Sequence, residues 1–166
     1  MSCKSGYSIE IERKFLVKKK HPIFEKGTHI EQSYLSYAEN KEIRVRISKN
    51  TCKLTIKIGK NTISREEFEY NIPLDDGIRL MHTCELQKPI KKIRYKYKFE
   101  GYTWEIDFFE GDNEGLILAE VEVESEKSSI IKPDWIGHEV TNDSKYYNVN
   151  IFKSPYKNWK KNTTKI

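Results

Sequence analysis

The sequence predicts a domain of the α+β class built mainly from antiparallel β-sheet. Three features carry that expectation. Apolar and polar residues alternate with period two over most of the 166 residues, short turn-forming links separate the alternating runs, and only two or three stretches show helical spacing. In residues 9–17, Ile9, Ile11, Phe15 and Val17 share one face, with Glu10, Glu12 and Lys14 on the other. Residues 30–37 read as a second strand. In 41–48, Ile43, Val45 and Ile47 oppose Glu42, Arg44 and Arg46; in 51–59, Cys52, Leu54, Ile56 and Ile58 oppose Lys53, Thr55 and Lys57. A fifth strand, 63–72, sets Arg65, Glu67 and Glu69 against Phe68, Tyr70 and Ile72.

Residues 73–88 change character. Pro73, Asp75 and Asp76 suit a helix start, and Ile78, Met81 and Glu85 follow at helical spacing, interrupted by Gly77. Strands return at 90–99, where Lys92, Arg94, Lys96 and Lys98 alternate with Ile93, Tyr95, Tyr97 and Phe99, and at 102–109 after a turn at Gly101. In 116–125, Glu120, Glu122 and Glu124 oppose Ala119, Val121 and Val123. A short helical turn is expected at 126–131, a loop from Pro133 to His138, and a last helix from about Asp143 to Phe152. This gives about eight strands with short connections, economically one antiparallel domain over 1–152 and a loose basic tail over 153–166.

The formal net charge of +5 belongs to that tail. Lys153, Lys157, Lys160, Lys161 and Lys165 lie there without an acid, so residues 1–152 carry no net charge, and no nucleic acid is expected on the body. Cys3, Cys52 and Cys84 have neither zinc-ligand spacing nor an even count, and neither a long apolar run nor a basic-apolar leader is seen. A reducing cytoplasmic setting without a membrane partner is expected.

Charge sits on one face of each strand. That fits an ordinary sheet with one wet face, but two details fit a closed barrel with a charged interior better. The signs are sorted by strand: acids on 9–14, 105–107 and 120–124, bases on 44–46, 53–57 and 92–98. Carboxylates also recur two residues apart, as Glu10 with Glu12, Glu105 with Asp107 and Glu120 with Glu122. Such pairs share a strand face and repel unless a hard divalent cation lies between them, and oxygen-only donors favour magnesium, manganese or calcium. Arginine and lysine walls opposite them suit phosphate oxygens. The combination points to a small polyanionic phosphate ligand.

These residues also form a known set. Glu10-Ile11-Glu12-Arg13-Lys14 is the ExExK signature that opens CYTH-domain proteins, the triphosphate tunnel metalloenzymes. Gln32-Ser33-Tyr34-Leu35 resembles QGYL, Arg44-Val45-Arg46 resembles RxR, Lys57 stands at the lysine of LTxK, and Ser64 to Glu69 resembles SRxEYE. Lys92 to Tyr95 resembles KxRY, Glu105 to Phe109 ExDxF, Leu118 to Glu122 LxEVE, Gly137 to Thr141 GxEVT and Asp143 to Asn148 DxRYxN. Serine replaces the usual glycine at 33, and Lys145 replaces arginine, which keeps the charge and loses the planar fork.

The resemblance implies an eight-stranded antiparallel tunnel with a C-terminal helix near one mouth. It implies metal-dependent hydrolysis of a triphosphate, for a chain of this length inorganic tripolyphosphate, with Mg²⁺ or Mn²⁺. It assigns Glu10, Glu12, Asp107, Glu120 and Glu122 to the metal, and Lys14, Arg44, Arg46, Lys57, Arg65, Lys92, Arg94 and Lys145 to the phosphates. Tyr34 and Lys92 are the candidate catalytic residues. Relatives act on thiamine triphosphate or cyclise ATP, and a non-catalytic module for polyphosphate or RNA 5′-triphosphate ends is the remaining alternative. A monomer or homodimer is expected.

Overall fold

The computed structural model describes residues 5–59, 63–83 and 88–159. Eight strands form a closed antiparallel ring: β1 (Tyr7–Val17), β2 (Thr28–Ala38), β3 (Lys41–Ser48), β4 (Thr51–Ile58), β5 (Ser64–Ile72), β6 (Ile90–Phe99), β7 (Tyr102–Phe109) and β8 (Ile117–Glu122). Going round the ring from β5 the order is β5-β4-β3-β2-β6-β7-β8-β1, and β1 returns to β5. β1 does this by dividing its length. Tyr7–Ile11 pair with Phe68–Ser64 of β5, while Glu12–Leu16 pair with Glu122–Leu118 of β8. Two-residue hairpins need left-handed backbone, and Glu100 and Gly101 between β6 and β7 both have positive φ (48° and 79°).

Alternation then sorts the side chains between the bore and the outside. At one end of the bore the inward residues are apolar: Tyr34, Ile90, Phe109 and Leu118 pack with Val149, Ile151 and Phe152 of α2 (Asn148–Lys153). This is the C-terminal helix expected at a tunnel mouth. On the outside, Phe15, Trp104, Ile106, Ala119 and Val121 are covered by Trp135, Phe24 and Ile130. The helix α1 (Leu74–His82) covers Val45, Cys52 and Leu54 through Met81.

The structure departs from the sequence reading in three places. A ninth strand, β9 (Ile136–Glu139), occupies part of the expected loop and pairs Ile136 with Val17 and Glu139 with Phe15. Residues 126–131 hold only a turn rather than a helical segment. The last helix begins at Asn148, not Asp143: the Asp143 carboxylate accepts from the Lys145 N–H at 3.1 Å and caps a separate 3₁₀ turn, Ser144–Tyr146, before Tyr147 becomes extended. α1 is described to His82; of the remaining expected helix, 84–87 lie outside the described residues.

The packed body also continues past Phe152. Tyr156–Asn158 form a 3₁₀ turn, the Tyr156 N–H donates to Asn113 Oδ1 at 2.8 Å, and Trp159 packs on Tyr146 and Tyr156. Residues 160–166 of the expected tail lie outside the described residues.

Candidate active site

The charged faces of β1 and β3–β8 converge on one cavity of about 260 Å³ inside the ring. Glu10, Glu12 and Lys14 come from β1, Arg44 and Arg46 from β3, Lys57 from β4, Arg65 from β5, Lys92 and Arg94 from β6, and Glu120 and Glu122 from β8. Tyr34 of β2 also reaches the wall.

Nearly every base is held by an acid. Lys14 meets Glu120 at 2.5 Å, and Lys57 meets Glu10 at 2.5 Å and Glu67 at 3.0 Å. Arg65 lies between Glu10 (3.4 Å) and Glu42 (3.5 Å). Arg46 meets Glu69 at 2.9 Å, with Lys53 on the same carboxylate. Arg94 reaches Asp107 at 2.6 Å and Glu120 at 2.7 Å, and also pairs with Glu105. Arg44 is different. It is buried, and among the described residues it has no carboxylate within ion-pair distance; its Nε has no hydrogen-bond partner.

The carboxylates divide into two kinds. Burial works against the Glu10 anion, but Lys57 and Arg65 outweigh it and hold the carboxyl at about 2. Burial likewise opposes Glu120, yet Lys14 and Arg94 keep it well below the usual range. Glu12 goes the other way: burial, then the neighbouring Glu120, push it up to about 7, and Lys14 at 3.6 Å only partly offsets them. Glu122, the register partner of Glu12, is also raised, by burial and by Glu10 and Glu105, and forms no ion pair among the described residues. Around Glu12 and Glu122, burial and neighbouring carboxylates together outweigh the cations within reach. Oxygen-only donors in that state fit a hard divalent cation. No set of three or more His, Cys, Asp or Glu among the described residues is already gathered as a cage.

Two expected site residues stand elsewhere. Asp107 is fully buried behind the wall, where its oxygens accept from Lys92 Nζ at 2.5 Å and from Arg94 Nε and Nη2 at 2.6 Å each. With those acceptor positions filled by cations, it organises the basic strand and does not present itself to the bore. Lys145 points away from the cavity, its ammonium 4.2 Å from the Trp159 ring centroid. The break between the 3₁₀ turn and α2 puts Tyr147 and Asn148 on the wall instead.

Lys92 is wholly buried, and burial and Arg94 lower its ammonium to about 8 against the pull of Asp107. Burial, with Glu42, raises Tyr34 above its ordinary value, although Arg44 hydrogen-bonds it. A phenol so placed is a poor proton acceptor.

The wall also includes Glu42, Lys53, Glu67, Glu69, Lys96 and Glu105, which were not among the expected site residues. All six occupy inward positions of the same alternation and could have been found by extending it. Thr141, Tyr147 and Asn148 carry no periodic signal; they reach the wall through the segment after β9, where Thr141 Oγ1 accepts from the Lys14 N–H at 3.0 Å.

Comparison with known proteins agrees with this architecture. The family model for the CYTH domain matches residues 8–151. The chain is 46% identical over 154 residues to an inorganic triphosphatase of Acetivibrio thermocellus, covering 91% of this chain and 97% of that protein. It is 35% identical over 147 residues to an inorganic triphosphatase of Nitrosomonas europaea, covering 84% and 93%. The crystal structure of the inorganic triphosphatase NE1496 superposes with a TM-score of 0.65 at 33% identity, covering 87% of this chain and 95% of that one. With the ExExK strand, the closed ring and the two-signed bore in place, this chain belongs to the CYTH domain family.

Proposed function

We propose that this chain hydrolyses inorganic tripolyphosphate to pyrophosphate and phosphate inside the ring, with Mg²⁺ or Mn²⁺ as cofactor. The observation that carries the reading is the unequal pairing within one bore: Arg44 without a carboxylate at ion-pair distance among the described residues, and Glu12 with Glu122 disfavoured as anions by burial and by neighbouring carboxylates. A phosphate chain alone would satisfy the first and aggravate the second. A cation alone would do the reverse. Arriving together they satisfy both, and the two similar chains are inorganic triphosphatases.

In this mechanism Arg44 anchors the phosphate chain. Arg46, Lys57, Arg65, Lys14, Lys92 and Arg94 turn from their carboxylates toward phosphate oxygens and offset charge that builds on the departing pyrophosphate. Glu12 and Glu122 would hold the cation, with Glu10 and Glu120 beside them on the wall. When bound, the cation supplies positive charge against the phosphate oxygens and makes a water more acidic. A water oxygen forms the new bond to a terminal phosphorus in line with the bridging P–O bond that breaks; that bond's electron pair leaves on pyrophosphate, and the proton the water gives up passes to bulk water. Tyr34 serves this step by holding Arg44 rather than by accepting the proton. Asp107 keeps Lys92 charged and fixes the Arg94 fork. A cytoplasmic setting belongs to the same proposal and is supported by Cys52, which is buried and unpaired.

Phosphate release measured in parallel with tripolyphosphate, thiamine triphosphate and ATP, with and without Mg²⁺, tests the proposal. Tripolyphosphate should be turned over fastest and only with the cation. Faster release from thiamine triphosphate, or cyclic AMP from ATP, would reassign the substrate. Tight metal-independent binding without release would make the chain a binding module.

A further inference from the structure

Charged residues dominate the bore, but the inward side of β2 is neutral. Every second side chain of a strand shares a face. Ile30 and Tyr34 both line cavities of the ring, so Gln32 between them points the same way. Its register partner is Arg46 of β3, as Arg44 is that of Tyr34. Gln32 has no exposed surface, and neither its Nε2 nor its Oε1 has a hydrogen-bond partner among the described residues. A buried amide left unpaired costs free energy, so the arrangement is satisfied only when a partner reaches it.

Arg46 is the partner that can. Directly opposed side chains of antiparallel strands are neighbours. In this structure the Arg46 guanidinium reaches the other way, across β4 to Glu69 of β5 at 2.9 Å. Glu69 does not depend on it, because Lys53 and the Thr55 hydroxyl (3.3 Å) donate to the same carboxylate. Arg46 is the less satisfied of the two. Burial and the adjoining Arg44 lower its pKa from the ordinary value against the pull of Glu69. A phosphate chain in the bore can therefore take Arg46 from Glu69 without leaving that carboxylate unpaired.

We propose that Gln32 is the positioning residue for Arg46: when the guanidinium exchanges Glu69 for a phosphate oxygen, Gln32 Oε1 accepts one of its remaining N–H groups and fixes its direction. The inference rests on the triphosphatase reading above. A guanidinium presents its N–H donors in a planar fork, and a phosphate on one edge leaves donors on another. A neutral amide suits that place. A carboxylate at position 32 would also hold Arg46 but would repel the phosphate, and an apolar side chain would hold nothing. β2 then serves both arginines of β3 alike, Tyr34 for Arg44 and Gln32 for Arg46.

Steady-state kinetics with tripolyphosphate and Mg²⁺, together with thermal melts, test this. Gln32→Leu removes an unpaired buried amide, so the melting temperature should hold or rise while the KM rises about fivefold. In an Arg46→Ala chain the same change should alter KM by less than about twofold. Gln32→Glu keeps the shape and should raise KM further than Gln32→Leu does, because its carboxylate competes with phosphate for Arg46. Should Gln32→Leu not fold, Gln32→Glu carries the test alone. A KM for Gln32→Leu within about twofold of the starting chain overturns the proposal. So does an equal rise with and without Arg46, or a Gln32→Glu chain whose KM matches the starting one. A starting chain that releases no phosphate from tripolyphosphate would overturn the triphosphatase reading itself, and this inference with it.

Discussion

Arg44 and Arg46 lie two residues apart on the same face of one strand, yet their surroundings differ. Arg46 is already held by Glu69 at 2.9 Å and must exchange that carboxylate for phosphate, whereas Arg44 has no carboxylate to release. Arg44→Ala should therefore raise the KM for tripolyphosphate more than Arg46→Ala does, by at least about tenfold or 1.4 kcal/mol. Steady-state kinetics of both variants checks this, and equal losses would remove the anchoring role. Glu122→Gln removes a carboxylate on which Glu10, Glu105 and Glu67 outweigh Lys57 and which forms no ion pair among the described residues. Metal-dependent turnover should nearly vanish while the melting temperature holds or rises; normal turnover would reject the metal assignment. Most of these residues were legible because a strand repeats every second position. Lys145 was misplaced because a matching motif gives a residue type but not a side-chain direction. In this chain the 3₁₀ turn capped by Asp143 directs Lys145 onto Trp159.

At the scale of elements, the eight ring strands were readable because each runs for at least six residues with a wet and a dry side. β9 was not: four residues between Pro133 and Val140, one of them glycine, offer too short an alternation to outweigh turn signals. Its strand character comes from outside the segment, from the edge of β1 left free beyond β5. Gly77 in α1 is the converse case. It looked like a weak point in a helix, and the structure supplies its reason: a Cβ there would lie 2.1 Å from Cys52 Sγ and 2.9 Å from Cys52 Cβ. The helix can seat against β4 only with a glycine at that position. Gly77→Ala should cost about 1–3 kcal/mol despite the better helix propensity of alanine. Adding Cys52→Ala should recover part of that loss, because the clash is mainly with the sulfur. Urea melts of the single and double variants decide it, and a neutral single variant would show that α1 is loosely seated.

For the whole molecule, ring closure was inferred from charge sorting and not from any strand by itself, and it places both signs in one low-dielectric space. The consequence for stability is pH-dependent. The folded pKa of Glu10 is about 2, below its usual 4.5, so its stabilising effect is complete above 4.5 and is lost as pH falls toward 2. Glu12 has the opposite sign: at about 7 it keeps a proton that the unfolded chain has given up, so stability declines as pH rises from 4.5 through 7. A divalent cation offsets the charge that then appears. Mg²⁺ should raise the melting temperature by about 3 °C or more at pH 8, and by much less at pH 5, where it competes with the Glu12 proton. Thermal melts with Mg²⁺ and with chelator at both pH values test this; an equal shift at both would remove Glu12 from the cation site.

If the bore accepts cation and phosphate chain as one unit, each must strengthen the binding of the other by the same factor. Calorimetric titration of the protein with imidotriphosphate, a triphosphate whose P–N–P links resist cleavage, reads that coupling in the presence and absence of Mg²⁺. A shared site requires the affinity to rise at least about tenfold with the cation, and to lose that gain in Glu122→Gln. An affinity that is the same with and without Mg²⁺ would contradict it.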